Sequence, residues 1–223
     1  MREVDEGEPG TIVLASYYTG RYTDFEICME ALKVPKGSKF IRARGSSSAK
    51  NQNVGVRHRE GGWVWFIDDD HTFTDDILLR LLARNVPIVA PLVPMRYPPF
   101  ELVLYKTLNI TADTKHHVSA FEEEFYKMSD LDGQKGLVKV QGLPKAGCLV
   151  REEIWAKMPD PWFRIGLLHP DDIEDDKYFM WEVREKYGYD LWCDTDLVVH
   201  HLNTISVGCK RGSDGTYSRS ITL

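Results

Sequence analysis

The sequence predicts an α/β protein with one domain, in which helices cover a mostly parallel sheet. In the first half of the chain, short apolar runs of β-forming residues alternate with amphipathic helical patterns, which is typical of β/α units. The clearest run, Trp63–Ile67, is apolar throughout and predicts a buried strand. It ends abruptly in three carboxylates, Asp68, Asp69 and Asp70. Polar chemistry is therefore expected at the carboxyl edge of the sheet, where open α/β sheets bind ligands.

The remaining elements follow from periodicity and from glycine and proline punctuation. In the first half we predict strands at residues 11–16, 40–43, 63–67 and 88–91, helices at 24–33 and 74–85, and a helix or loop at 50–53. In the second half we predict strands at 137–140, 147–150, 191–193 and 197–201 and helices at 151–158 and 176–187. A Val/Leu strand is expected to run through Tyr105, and residues 107–136 are expected to form loops with a short helix over the sheet.

These predictions divide the chain into a domain and two ends. The N-terminal tail covers residues 1–10 and the domain covers residues 11–205. Residues 206–223 are rich in Gly and Ser and show no packing pattern. We expect this segment to be a tail that is either disordered or a lid that orders on ligand binding.

Composition excludes several classes of protein. The 223 residues are 43% hydrophobic and 28% charged, which suits one globular domain and not a disordered or fibrous chain. A net charge of −6 disfavours a broad nucleic-acid surface. No apolar stretch is long enough to cross a bilayer, and the acidic N-terminus lacks a leader pattern, so we expect a cytoplasmic protein without membrane insertion. The four cysteines contain no Cys-x-x-Cys pair, so neither a zinc site nor a disulfide framework is predicted.

The three successive carboxylates indicate a metal site. Anions this close repel one another, and protonation, exposure or a hard cation relieves the repulsion. Because side chains alternate along an extended chain, Asp68 and Asp70 are expected to face the metal and Asp69 to point away. The alternative is a strand end in which Asp70 or Thr72 caps the helix at 74–85.

Other charged groups later and earlier in the chain support the site. Five acidic residues at positions 171–176 open a predicted helix, which exceeds what helix capping needs, so one of them is a candidate general base. His200 and His201 end a predicted strand, and one of the two rings should face the sheet edge as a metal ligand. Basic residues between Arg42 and Arg59 suit a phosphate-bearing ligand, or else form a solvated connector.

In this order, the motifs resemble those of glycosyltransferases with the A-type nucleotide-diphospho-sugar transferase (GT-A) fold, in particular small bacterial and phage members of the inverting family 2-like group. The resemblance covers roughly residues 11–203 and rests on the first strand, the Asp-x-Asp strand, the segment 146–155 and the acidic helix start. It implies a mixed, mostly parallel Rossmann-like sheet, with a nucleotide-binding half at 11–105 and an acceptor or catalytic half at 106–205. It also implies nucleotide-sugar contacts at Ser16, Tyr17, Arg44, Asn51, Asp68, Asp69 and Gly147.

The resemblance further implies a reaction. A Mn2+ or Mg2+ ion would be held by Asp68, Asp70 and His201, with His200 as the alternative to His201. Asp176, or Asp175 if the register slips by one, would be the base that deprotonates an acceptor hydroxyl. The family pattern has Glu where this chain has Asp175. The expected donor is a nucleoside-diphosphate sugar with UDP as the nucleotide, and the acceptor is a glycan, a protein, a small molecule or a modified DNA base.

Two other functions fit parts of the pattern. Asp68-x-Asp70-x-Thr72 after a strand also matches the aspartyl-phosphate (HAD-like) phosphohydrolases, although that motif normally follows the first strand and here two predicted strands precede it. A non-catalytic module that binds a sugar nucleotide would keep the fold without the chemistry. The sequence does not determine the oligomeric state.

Overall fold

The structure of the protein, a computed structural model, describes residues 1–16, 22–44, 47–113, 118–164, 175–203, 206–211 and 217–222. The strands are β1 (Arg2–Val4), β2 (Thr11–Ser16), β3 (Lys33–Pro35), β4 (Lys39–Arg44), β5 (Trp63–Ile67), β6 (His71–Thr72), β7 (Ile88–Leu92), β8 (Tyr105–Asp113), β9 (Val118–Phe125), β10 (Leu137–Val140), β11 (Leu149–Arg151), β12 (Leu191–Val198), β13 (His200–His201), β14 (Ser206–Arg211) and β15 (Tyr217–Thr222). The helices are α1 (Thr23–Ala31), α2 (Ser48–Arg57), α3 (Ile77–Ala83), α4 (Glu152–Lys157) and α5 (Asp175–Glu185), with a 3-10 turn at Met128–Leu131.

Seven strands form the central sheet in the order β10, β12, β7, β11, β5, β2, β4. Strands β4, β2 and β5 are parallel, and so are β7 and β12. Because β11 is antiparallel to both β5 and β7, these five strands all run in one direction. The second reversed strand, β10, lies at an edge beside β12. The sheet is therefore mixed and mostly parallel, which confirms the predicted fold class.

Strand β5 shows why helices cover both faces of the sheet. Trp63, Trp65 and Ile67 pack with side chains of α1 and α3, whereas Val64 and Phe66 pack with side chains of α2, α4 and α5. The alternation follows from the pleat of a strand, which points successive side chains to opposite faces. All five are at most 2% exposed. Burying each such side chain contributes about 1.5–3 kcal/mol, so an unbroken apolar run is stable only between two layers.

Helix α2 joins the first half of the domain to the second. It lies directly on β2, because a Cβ on Gly55 would come within 2.4 Å of the Val13 side chain. On another side, the Asn53 Oδ1 accepts hydrogen bonds from the backbone N–H groups of Trp162 and Phe163, both at 3.0 Å, and its Nδ2 donates to the Phe163 carbonyl at 2.7 Å. The position of α2 is therefore set by buried polar contacts as well as by apolar packing.

The basic segment 42–59 is partly used by these packing contacts. Arg57 forms a bidentate ion pair with Asp160 at 2.6 Å, and Arg59 forms one with Glu152 at 2.7 Å. Both pairs connect α2 or the residues after it to the region of α4. These two arginines therefore have partners within the protein, which supports a structural role rather than the phosphate-binding role considered for the segment.

The prediction of loops at residues 107–136 was wrong, although the expected short helix corresponds to the 3-10 turn at Met128–Leu131. Strands β8 and β9 form an antiparallel hairpin in place of loops, followed by the 3-10 turn. The three successive glutamates of β9 are exposed, so the polar composition reflects a solvated sheet face. On the other side Leu108 is fully buried, and the Arg184 guanidinium on α5 donates to the Leu108 carbonyl at 2.6 Å. The hairpin is therefore held by contacts with a distant helix.

Smaller differences concern element boundaries and the chain ends. Residues 96–104 form no strand, and β8 begins at Tyr105, where a strand was expected to end. Two strands predicted at 191–193 and 197–201 are instead one strand, β12, followed by the short β13. The N-terminal tail contains β1, which pairs in parallel with β3. Within the expected C-terminal tail, β14 and β15 pair as antiparallel strands. In the described part of the chain, none of the helices has the length and apolarity needed to cross a membrane.

Candidate metal and nucleotide site

The site lies where β5 ends. After Ile67 the chain turns through Asp68, Asp69 and Asp70 and enters β6. Strand β13 pairs with β6 in antiparallel register, which sets His201 opposite His71. The backbone N–H of Leu202 donates to the Asp70 carbonyl at 2.7 Å. These short contacts bring the residues after β5 together with His201, which lies about 130 positions later in the sequence.

Asp70, His71 and His201 form a compact group. Each offers a ligand atom, and the three atoms lie within 4.8 Å of one another. The Asp70 carboxylate is 3.1 Å from the His71 Nδ1 and 3.4 Å from the His201 Nε2, and the two rings have centroids 4.3 Å apart. One carboxylate with two imidazoles is a ligand set that first-row divalent cations favour.

Burial supports a cation at this group. The side chain of His71 is only 4% exposed, and both of its nitrogens lack a hydrogen-bond partner, as does the Asp70 Oδ1. The Nδ1 and the Oδ1 are close but are not aligned for a hydrogen bond. Each buried polar atom without a hydrogen-bond partner lowers stability by about 1–3 kcal/mol, and a bound ligand would remove that penalty. A divalent cation fits these orphaned donor atoms.

Both imidazoles are in the form that binds metal. Burial lowers the pKa of His71 to about 4, so the ring is neutral at pH 7. Burial also lowers the pKa of His201, and the positive charge of Arg96 acts in the same direction. The His201 Nδ1 is 3.1 Å from the Pro94 carbonyl, which assigns the proton to Nδ1 and leaves a lone pair on Nε2. That lone pair faces Asp70.

Arg96 shares this space. Its Nη2 forms an ion pair with the Asp70 Oδ2, its Nε donates to the His201 Nε2 at 3.2 Å, and its Nη2 is 3.1 Å from the same nitrogen. Its backbone carbonyl accepts a hydrogen bond from the Asn203 Nδ2 at 3.2 Å. The guanidinium therefore contacts two of the three candidate ligands.

Asp68 lies beside a different cation. Its Oδ1 is 3.0 Å from the Lys145 Nζ, and the lysine side chain is only 12% exposed. Burial by itself raises the pKa of Asp68, but the positive charge of Lys145, the neighbouring His71 and His201, and the hydrogen bond from Lys145 together outweigh this effect, so the pKa lies below its ordinary value. Asp68 is therefore ionised, and its carboxylate forms an ion pair with an ammonium group.

The other predicted nucleotide contacts occupy the neighbouring elements. Ser16 ends β2 and pairs in register with Arg44, which is exposed at the end of β4. Asn51 is buried on α2. Gly147 has a φ of +78°, and a Cβ there would come within 2.8 Å of the Pro91 ring, so only glycine fits. Asp69 lies in the turn after β5, and Tyr17 falls outside the described residues.

The predicted base lies at the start of α5. Asp175 is the first residue of the helix, and its side chain is outside the described part of the structure. Asp176 is half-buried, and its Oδ1 accepts a hydrogen bond from the Lys177 backbone N–H at 2.9 Å. Among the described contacts, none joins Asp176 to the Asp70 group. Of the two late histidines, His201 faces Asp70 and His200 is exposed.

His71 and Lys145 lie in the site but were not predicted from the sequence to belong to it. His71 directly follows the three carboxylates, so it could have been considered as a fourth ligand of the same motif. Lys145 had no such signal, because it reaches Asp68 from 77 positions away through the pairing of β11 with β5. Arg96 was likewise not predicted as a site residue.

The comparisons with known proteins divide between sequence and structure. No family model and no curated protein matches the sequence significantly. Among solved structures, A197 from STIV is similar over 97% of this chain and 93% of its own, with a TM-score of 0.55 and 12% identity. Residues 1–349 of TarS from S. aureus match over 91% of this chain and 60% of that one, with a TM-score of 0.53 and 11% identity.

A third similar structure carries ligands. GalNAc-T7, solved with UDP, GalNAc and Mn2+, matches over 86% of this chain and 43% of its own, with a TM-score of 0.50 and 10% identity. GalNAc-T7 and TarS are glycosyltransferases. The chain spans less than two thirds of either of these proteins. At such low identities the similarity shows the fold, and this chain has the GT-A fold predicted from its motifs.

Proposed function

We propose that this GT-A protein transfers a sugar from a nucleoside-diphosphate sugar to an acceptor hydroxyl, with a divalent cation and with inversion at the anomeric carbon. The observation that carries the proposal is the group of Asp70, His71 and His201 at the carboxyl edge of the sheet, with its buried and unpartnered donor atoms. The glycosyltransferases that share the fold support the general class of reaction.

Asp70, His71 and His201 would hold the cation. A bound divalent cation stabilises the negative charge that builds up on a departing diphosphate. Two imidazole nitrogens favour Mn2+ over Mg2+, which prefers an all-oxygen octahedral set. Asp68, which the sequence predicted as a further metal ligand, would instead accept hydrogen bonds from the ribose, because Lys145 keeps it ionised 3.0 Å away.

The nucleotide would bind along the edge formed by β2, β4 and the turn after β5. Ser16 and Tyr17 would contact the base, Arg44 and Asn51 would hold the nucleotide, and Asp69 would contribute from the turn. Gly147, in a backbone conformation that favours glycine, would lie beside the sugar. UDP is our proposed nucleotide, and the presence of UDP in the similar GalNAc-T7 structure supports this choice.

A carboxylate at the start of α5 would act as the general base. We propose Asp176, with Asp175 as the alternative, to take the proton from the acceptor hydroxyl as its oxygen attacks the anomeric carbon. The bond to the diphosphate breaks on the opposite face, so the configuration inverts. The acceptor remains open among a glycan, a protein, a small molecule and a modified DNA base.

A binding screen followed by a turnover assay tests this function. Melting temperatures are measured with UDP-sugars, with and without Mn2+, because a ligand that binds the native state raises its apparent stability by mass action. We expect a rise that needs both components, and release of UDP in the presence of acceptor. Hydrolysis of simple phosphomonoesters without a sugar nucleotide would instead support the phosphohydrolase alternative. Binding without any turnover would support a non-catalytic module.

A further inference from the structure

Arg96 holds the position in which a cation would contact both Asp70 and His201. Its guanidinium forms an ion pair with the Asp70 Oδ2 and donates to the lone pair of the His201 Nε2. These two atoms are 3.4 Å apart, so one positive group between them satisfies both. The arginine therefore neutralises the same two atoms that a metal ion would use.

An arginine and a divalent cation exclude each other from this position. A lone pair that accepts an N–H bond cannot be donated to a metal at the same time. The guanidinium is also permanently charged, so it cannot leave by losing a proton, and like charges a few ångströms apart repel strongly in a partly buried site. Binding of the metal thus requires the Arg96 side chain to move.

The Arg96 side chain borders solvent, whereas its backbone is hydrogen-bonded to the rest of the domain. The Arg96 side chain is 34% exposed, which leaves one side open to solvent. Its backbone is held by Asn203, and Met95 is held by the Glu101 carbonyl at 2.7 Å. A displaced guanidinium would therefore stay within side-chain reach of the metal and of anions bound to it. Guanidinium groups bind phosphate oxygens in bidentate geometry.

We propose that Arg96 is an internal counter-cation that the metal displaces and that then binds the diphosphate of the nucleotide. The inference rests on the proposed function for the identity of the anion, but the displacement itself does not. It follows that metal and nucleotide bind cooperatively. The metal alone must compete with Arg96, whereas the nucleotide gives the displaced arginine a new partner.

The first test measures the affinity for Mn2+ alone by calorimetry or by electron paramagnetic resonance of free Mn2+. Arg96→Gln should bind Mn2+ at least tenfold more tightly than the wild type. The affinity of Arg96→Lys should lie between the two, because lysine keeps the positive charge but lacks the planar guanidinium. Arg80→Gln is the matched control, because this substitution also removes one positive charge. The described hydrogen bond of Arg80 goes to the Asp196 carbonyl, away from Asp70 and His201. An unchanged or weaker Mn2+ affinity in Arg96→Gln would overturn the proposal.

The second test measures UDP affinity at saturating Mn2+. Arg96→Gln should bind UDP about tenfold more weakly than the wild type, although it binds the metal more tightly. Opposite changes in the two affinities exclude simple misfolding, because a damaged site would lose both. If Mn2+ affinity rises but no protein binds UDP, the displacement stands and the proposed function fails. If no variant binds Mn2+, the displacement itself is wrong.

Discussion

Two mostly buried carboxylates, Asp194 on β12 and Asp70 beyond β5, lie among polar groups that differ in how they are hydrogen-bonded. Asp194, fully buried on β12, accepts hydrogen bonds from the Arg84 Nε at 2.7 Å, from the Arg84 Nη2 at 3.0 Å and from the Asp196 backbone N–H at 3.1 Å. Asp70 and His71, a few residues beyond β5, are also mostly buried but keep three side-chain atoms without a hydrogen bond.

The difference separates structural polar groups from functional ones. Both carboxylate oxygens of Asp194 accept hydrogen bonds from within the protein, so Asp194 stabilises the packing of α3 against β12. A buried group with unused lone pairs is costly in the absence of a ligand and is retained where binding repays that cost. On this basis we propose the Asp70 group as the binding site and assign the Arg84–Asp194 pair to the scaffold.

The largest expected effect is that of Asp70→Asn on turnover. The amide is a poor metal ligand and cannot hold charge near the diphosphate, so UDP-sugar transfer should fall about a thousandfold. The free energy of unfolding of the metal-free protein should change by less than about 1 kcal/mol, measured by urea titration. Asp132→Asn, at an exposed position after the 3-10 turn, is the control. Metal-dependent transfer at the wild-type rate in Asp70→Asn would contradict the role of Asp70 as a metal ligand.

Asp194→Ala tests the structural side of the comparison. Removing a fully buried partner leaves Arg84 without its bidentate pair, so we expect unfolding to become easier by about 3 kcal/mol, with Mn2+ affinity unchanged. Asp196→Ala is the matched control, since that carboxylate is 40% exposed and its loss should cost less than about 1 kcal/mol. If Asp194→Ala loses Mn2+ binding at a temperature where it is folded, Asp194 is not a purely structural residue and the comparison fails.

The pH dependence of stability gives the next effect in size. The pKa of His71 is about 4 in the folded state, against about 6.5 in an unfolded chain, so the unfolded state binds more protons below neutrality. The contribution of neutral His71 to the stability of the folded state is therefore complete above pH 6.5. It is lost progressively as the pH falls towards 4, by up to about 3 kcal/mol. Urea unfolding with a chelator at pH 7, 5.5 and 4 measures it. In His71→Leu this part of the loss should disappear, and an identical pH profile would refute the assignment.

The smallest effect concerns His71→Leu at pH 7. Leucine has no orphaned nitrogens, so the metal-free variant should be more stable than the wild type by about 1 kcal/mol. The rise in melting temperature with Mn2+ should be lost. His200→Leu, at the exposed neighbour of His201, is the control and should keep that rise. A marked loss of stability in His71→Leu would show that His71 belongs to the scaffold.

Much of the fold was predictable because its signals are local. The limits of β2, β5 and β10 were predicted to the residue, and the ends of α1, α4 and α5 were predicted within about two residues. These elements have strong apolar periodicity or clear end signals. The hairpin of β8 and β9 was missed because its exposed face is polar, and its buried face depends on contacts between Leu108 and α5 that are distant in sequence.

The candidate site was predictable in part for the same reason. Asp70 and His201 were both chosen as metal ligands from the sequence, and they are 3.4 Å apart in the structure. His71 was overlooked although it is adjacent to Asp70. The partners of the two carboxylates, Lys145 for Asp68 and Arg96 for Asp70, were not predicted as such, because any of the chain's 28 lysines and arginines could have filled those roles.

By itself, the sequence determined the α/β class, the strand that ends in three carboxylates and the GT-A resemblance, since residue patterns a few positions long decide backbone conformation and side-chain face. Only the tertiary structure decided which side chains meet at that strand end. The pairing of β6 with β13 selects His201 over His200, and the path after β7 brings Arg96 between Asp70 and His201. Contacts of this kind depend on the packing of the whole domain, which no local pattern encodes.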